Sequence, residues 1–210
     1  MATPPAPGPK SRSATQSIAQ SIDGRRERSV SSRAKIVAAM LDLVGGGDVQ
    51  PSAARVAEAA GVGLRTVFRH FDDMDSLYRE MSEAIEARVL PVMLRPFTTT
   101  QWRDQMRELA LRRSEVFEAI LPYRITASLK RFQSTFLMQD YRRMLRMERS
   151  SIEAILPPAV LADPVQANTL LLSLSFQCWR VLRHDQELGV AEARAVFLRL
   201  VDAVLAQSDD

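Results

Sequence analysis

Arg65 and Arg69 stand one helical turn apart in the segment Leu64-Arg65-Thr66-Val67-Phe68-Arg69-His70. A guanidinium presents a fixed fork of N–H donors, the shape that pairs with guanine N7 and O6 in a major groove or with phosphate oxygens. Arg65, at the second position of that segment, is the candidate for direct base reading, and Arg69 is placed for a base edge or a phosphate. The methyl groups of Leu64 and Thr66 offer apolar contact to bases. Ser52 and Arg55, with Arg33 and Lys35 further upstream, are candidates for gripping phosphate. Each of these is also a side chain that an ordinary solvated helix face carries.

Such groups act only if something rigid presents them. Residues 52–70 read as two short helices joined by a tight turn. Ser52 suits the N-cap of the first, and Val56, Ala57 and Ala60 give it a small apolar face. Gly61 provides the left-handed backbone that a tight helix exit needs, and Val62 plugs the turn. In the second helix, Leu64, Val67 and Phe68 are expected to face the neighbouring helices, leaving Arg65, Thr66 and Arg69 outside. Upstream, Ile36, Val37, Met40, Leu41 and Val44 form the stripe of a helix expected from Ser32 to Val44 and ended by Gly45-Gly46-Gly47. Downstream, Asp73 is the expected N-cap of a longer helix, with Asp75 favourable at its positive end. Leu77, Met81, Ile85 and Val92 are expected to bury one side of that helix, which is expected to end near Pro91 or Pro96. A short basic helix held this way has the geometry that enters a DNA major groove.

On Ala57, Ala60-Gly61-Val62, Thr66-Val67-Phe68-Arg69-His70-Phe71 and Leu77, residues 33–90 resemble the DNA-binding domain of the tetracycline-repressor (TetR) family of bacterial transcription regulators. The resemblance implies an all-α protein with an N-terminal three-helix helix-turn-helix DNA-binding domain and a C-terminal helical domain for ligand binding and dimerisation. The expected division is a disordered arm over 1–28, the DNA-binding domain over 29–75 and the effector and dimerisation domain over 76–210. The resemblance further implies a homodimeric repressor on a palindromic double-stranded operator, released by a small apolar or amphipathic effector, in a bacterial cytoplasm. By family position Phe68 and His70 flank the DNA backbone, with His70 as a donor to phosphate. Three positions depart from the family pattern. Phe68 stands where a tyrosine hydroxyl usually touches phosphate, Met74 where a lysine commonly does, and Gly63 where Ser or Thr caps the reading helix. Losing phosphate-pairing groups weakens binding to all sequences alike and flattens its salt dependence. The alternative is a helical DNA-binding or interaction protein without a small-molecule effector.

Composition narrows the remaining classes. Leu, Ala, Arg, Met and Glu dominate, which favours helix throughout. A length of 210 residues accommodates a small DNA-binding domain fused to a second helical core. Net charge is only +3, but it is uneven: seven basic against two acidic residues from Lys10 to Lys35, and four against seven from Pro157 to Asp210. The front of the chain is the part suited to phosphate. One cysteine, Cys178, excludes internal disulfides and a Cys-cluster zinc site. With His70 and His184 as the only histidines, no metal site, cofactor or catalytic residue is assigned. The run Gly45-Gly46-Gly47 lacks the Lys and Ser or Thr of a phosphate loop. No apolar run of about 18 residues is present, so no membrane span is expected. The opening MATPPAPGPKSRSATQS lacks the apolar core of a secretory signal, and its Pro, Ser and Ala content is that of a disordered arm.

Past Pro96 the pattern stays helical. Helices are expected from Trp102 to Ile120, from Pro122 to Lys130, from Ser134 to Ile155, from Val165 to Arg183 and from Val190 to Gln207. Leu170-Leu171-Leu172, Leu174 and Phe176 exceed what one buried stripe needs. That surplus fits either a fully buried core helix or a four-helix contact across a two-fold axis, and the resemblance favours the second. Trp102, Met106, Phe117, Tyr123 and Phe132, then Met138, Tyr141, Met144 and Trp179, supply bulky and adaptable side chains. They are the expected lining of the effector cavity that the resemblance implies, with Gln177, Arg124, Gln133 or Arg180 as an orienting polar contact. Any one of the apolar residues also fits an ordinary core.

Overall fold

A computed structural model describes residues 29–207, so the arm expected over 1–28 lies outside the described residues. The fold is all-α, with no strand among the described residues. Two apolar clusters organise it. The first gathers α1 (residues 29–45), α2 (Ala53–Ala59), α3 (Leu64–His70) and the start of α4 (Met74–Met93). Its buried members include Ile36, Met40, Val44, Val56, Val67 and Leu77, the apolar stripes read from the sequence.

Local chemistry sets the joints of this unit. The Ser52 hydroxyl accepts from the Arg55 amide at 3.2 Å and starts α2. Gly61 takes φ +63°, and the Val62 amide returns to the Ala57 carbonyl at 3.0 Å, which closes the turn into α3. α3 has no side-chain cap because Gly63 carries none. Asp73 caps α4 by accepting from the Ser76 amide at 2.8 Å. In α3 only Val67 is buried. Leu64 and Phe68, expected to face neighbours, are instead 45% and 53% exposed. A seven-residue helix lying across two others has room for one inward residue per two turns, and Val67 takes it.

α4 runs through both clusters: Leu77, Tyr78 and Met81 pack in the first, while Val89, Val92 and Met93 pack against the second. It continues through Pro91 and ends at Met93, between the two prolines near which its end was expected. The second cluster surrounds α5 (Trp102–Lys130), against which α6 (Thr135–Glu153), α9 (Phe176–Arg180) and α10 (Val190–Ala206) assemble, while α8 (Pro164–Ser173) packs on α10, α6 and α9. Ala193, Phe197, Val201 and Leu205 form the stripe of α10 that meets it. A short helix, α7 (Pro158–Leu161), precedes α8.

Two helix boundaries differ from expectation. Pro122 does not separate two helices; α5 continues across it, because buried residues on both sides, Phe117 and Ile120 before and Arg124 and Thr126 after, hold the axis. Conversely, the expected helix from Val165 to Arg183 breaks at Leu174. The Leu174 carbonyl accepts from the Arg113 guanidinium at 2.7 Å, and Ser175 starts α9 by accepting from the Cys178 amide at 3.2 Å. A π-helical turn, Val181–Asp185, then ends the segment. No helix among the described residues is long and apolar enough to cross a membrane.

Candidate functional site

The exposed side of α3 carries two parallel pairs. Leu64 and Phe68 form an apolar ridge, and Arg65 and Arg69 a cationic one beside it. Neither guanidinium makes a hydrogen bond or ion pair to the described residues. Thr66 is half-buried behind them. Two guanidiniums without partners among the described residues, on a solvent-facing helix, are available to an external anion.

The residues around this helix have different jobs. Arg33, expected to reach phosphate, is committed inward: it pairs with Glu80, donates to the His70 carbonyl at 2.6 Å and stacks 4.5 Å from the Phe71 ring centre. It therefore joins α1, the end of α3 and α4. The His70 ring is half-buried, and its Nε2 is buried without a partner. Burial first, then the charges of Arg69 and Arg33, hold its pKa below the ordinary histidine value. Lys35 is exposed on α1. Ser52 is occupied as a cap, and Arg55 lies 3.5 Å from Glu58 and 4.0 Å from Asp48 at the surface.

The second region of interest is internal. A cavity of about 130 Å³ lies between α4, α5 and α6, walled by Met81, Ile85, Val89, Val116, Phe117 and Ile120, among others. Phe117, Tyr123 and Met144, named from the sequence, line it. A second space of about 340 Å³ on the other side of α6 is lined by Tyr141, Met144 and Gln177, and the two share Arg124, Leu137 and Asp140 as walls. The other named residues lie elsewhere. Met106 is fully buried in the second cluster, and Trp179 packs edge-on against Phe197 at 5.6 Å. Trp102 sits at the margin of that cluster, and Met138 borders neither space. Phe132, at the turn between α5 and α6, is 76% exposed because no element covers that corner.

Of the polar candidates named from the sequence, Arg124 lines both spaces, Gln177 and Arg180 line the larger one, and Gln133 lines neither, while Arg113 was not foreseen. Arg124 pairs with Glu148 at 2.6 Å, both nearly buried, and stacks 4.1 Å from the Phe176 ring centre. Arg113 is buried and donates to the carbonyls of Leu174 and Glu148 and to the Ser151 hydroxyl. Burial pushes its pKa down to about 10, so it remains cationic at neutral pH. The available signal was positional. Arg113 interrupts the stripe Met106, Leu109, Ala110, Val116, Phe117, Ile120 at the spacing of a core residue.

No protein-family model matches the sequence, and no curated protein matches it. The fold is similar to that in the crystal structure of a transcriptional regulator from Rhodococcus sp. Rha1. The TM-score is 0.64 over 83% of this chain and 96% of that one, at 15% sequence identity. At that identity the likeness concerns the fold.

Proposed function

We propose that this chain is a sequence-specific DNA-binding transcription regulator of the TetR type, acting as a homodimeric repressor that a small ligand releases. The observation that carries the reading is the outer side of α3: Arg65 and Arg69 unpaired within the described residues, beside exposed Leu64 and Phe68, on a helix fixed by the Gly61 turn. Arginine forks read guanine and apolar side chains meet thymine methyls, so this ridge pair carries the chemistry of base reading. The similarity in fold to a transcriptional regulator agrees with it.

Dimerisation is supported by the uncovered stripe on α8, where Val165 and Leu172 are 75% and 68% exposed with Thr169 between them. Apolar side chains at this spacing suit a self-complementary helix contact. Two such protomers would place their α3 helices about one DNA turn, roughly 34 Å, apart.

Ligand release needs a route from cavity to α3. Tyr123, Ala127 and Leu137 line the cavity and also pack on the first apolar cluster. The Tyr123 hydroxyl lies so near Gly45 that a Cβ there would stand 3.1 Å from it. Asp75, at the start of α4, accepts from the Phe136 amide of α6 at 3.2 Å, and Arg79 stacks on Phe136. A ligand that prefers the conformation with altered α6 and α4 positions would shift the population away from the DNA-binding one.

The test is binding of the full chain to DNA upstream of its own gene and to random duplex, at two salt concentrations. A strong preference for the first supports the proposal. Weak binding without preference supports the alternative, a helical interaction protein, which Phe68 and Met74 in place of phosphate-contacting residues favour.

A further inference from the structure

The cavity wall carries three arginines, Arg113, Arg124 and Arg143, and three carboxylates, Glu86, Asp140 and Glu148, but they are unevenly paired. At its mouth, half-exposed Arg143 sits between Glu86 at 2.8 Å and Asp140 at 2.9 Å. Glu86 is half-exposed and screened by water, whereas Asp140 is buried and held by Arg143. Deeper, Arg124 and Glu148 cancel each other. Arg113 is then left over. Its acceptors are neutral, two carbonyls and a hydroxyl; no carboxylate pairs with it, and its buried Nε–H has no partner. Its attraction to the Glu148 carboxylate, already paired with Arg124, does not offset the cost of burying the cation, so the site is poised to accept a further anion. The rest of the wall is apolar, with Ile85, Val89, Val116, Phe117 and Ile120 around a space of about 130 Å³. A cavity of about 150 Å³ holds benzene.

We infer that the effector is a small monoanionic carboxylate bearing one aryl ring or a compact branched chain, bound with its carboxylate on the Arg113 and Arg124 side and its apolar body among Val89, Phe117 and Ile120. The inference rests on the effector reading above and adds the charge and size of the ligand to it. Arg113 supplies an incompletely compensated charge, while Arg124 and Glu148 set how much of that charge the ligand meets.

Three probes matched in size separate the possibilities: 4-methylbenzoate, 4-methylbenzamide and 4-methylbenzylammonium. Thermal stabilisation of the full chain is expected from the carboxylate at a concentration at least tenfold below that needed for the amide, with no response to the ammonium. Arg124→Gln should reduce the preference for carboxylate over amide, and Glu148→Gln should raise it. This opposite movement is not produced by simple loosening of the fold. Val89→Phe should abolish the response while leaving the helical circular dichroism intact, which locates the site. An amide or ammonium that matches the carboxylate overturns the inference but leaves an effector site standing. Should none of the three stabilise the protein, the inference also fails, and uncharged p-xylene then decides the broader reading. Stabilisation by p-xylene preserves an effector cavity, whereas its failure removes that as well.

Discussion

The two apolar clusters are made of the same helical material but keep their charges in opposite places. In the first, around α1 to α3, the core is wholly apolar and the arginines project outward from α3. In the second, the buried polar residues accumulate: Arg112, Arg113, Ser114, Arg124, Thr126, Ser134, Asp140 and Ser173 all lie beyond residue 111. The first is a platform with few interior polar groups to satisfy, the exceptions being the partnerless His70 Nε2 and the inward Arg33 clamp. The second spends stability on interior ion pairs and hydrogen bonds, which is how a fold keeps a selective and movable site.

The largest expected effect breaks an interior pair. Arg124→Ala should destabilise the protein by about 3 kcal/mol, because it leaves Glu148 nearly buried and unpaired, whereas Arg124→Met with Glu148→Met should be close to neutral. Urea unfolding of the single and double variants checks this; equal losses would show that charge pairing is not the cause. An outer clamp should matter less. Arg33→Ala removes the Glu80 pair, the bond to the His70 carbonyl and the stack on Phe71, from a side chain 41% exposed. About 1 kcal/mol of stability is expected to go, measured as a shift in the urea midpoint at unchanged slope.

Phe68→Tyr restores a hydroxyl at the exposed ridge. It should tighten binding to specific and random duplex alike by about fivefold, the equivalent of a hydrogen bond worth about 1 kcal/mol. A gain confined to one sequence would mean that residue 68 reads bases instead. The smallest effect is titration of His70. Its pKa is depressed in the folded state, so between about 6.5 and that lower value the unfolded chain binds more protons. The stability that neutral His70 contributes is therefore intact above about pH 6.5 and declines as pH falls below it. His70→Gln should flatten that part of the stability-against-pH curve, and an unchanged slope would remove this role.

The first cluster was largely readable because its rules are local. Ser52, Gly61 and Asp73 declare their positions through caps and backbone preference, and apolar periodicity places Val56, Val67 and Leu77. Orientation within α3 was less so: Phe68 looked like a packing residue, yet a short crossing helix buries only Val67. Arg33 shows the same limit, since nothing near it in sequence reveals Glu80 and Phe71 as partners. In the second cluster, long-range contacts overrode local signals. Pro122 passed through a helix that packing holds straight, and a helix broke at Leu174 where Arg113 takes its carbonyl. Aromatic and Met content pointed to Phe117, Tyr123 and Met144 on the cavity wall, but also to Trp179 and Met106, which fill the core. Residue type alone does not separate a wall from a filling.

The most direct test of the account compares the wild-type chain with Arg65→Ala on DNA upstream of its own gene and on random duplex. The account predicts a loss of about 1–3 kcal/mol on the specific site, with relaxed preference at one base pair, little change on random DNA and an unaltered melting temperature. Equal weakening on both duplexes, or none on either, would contradict the assignment of α3 as the reading helix.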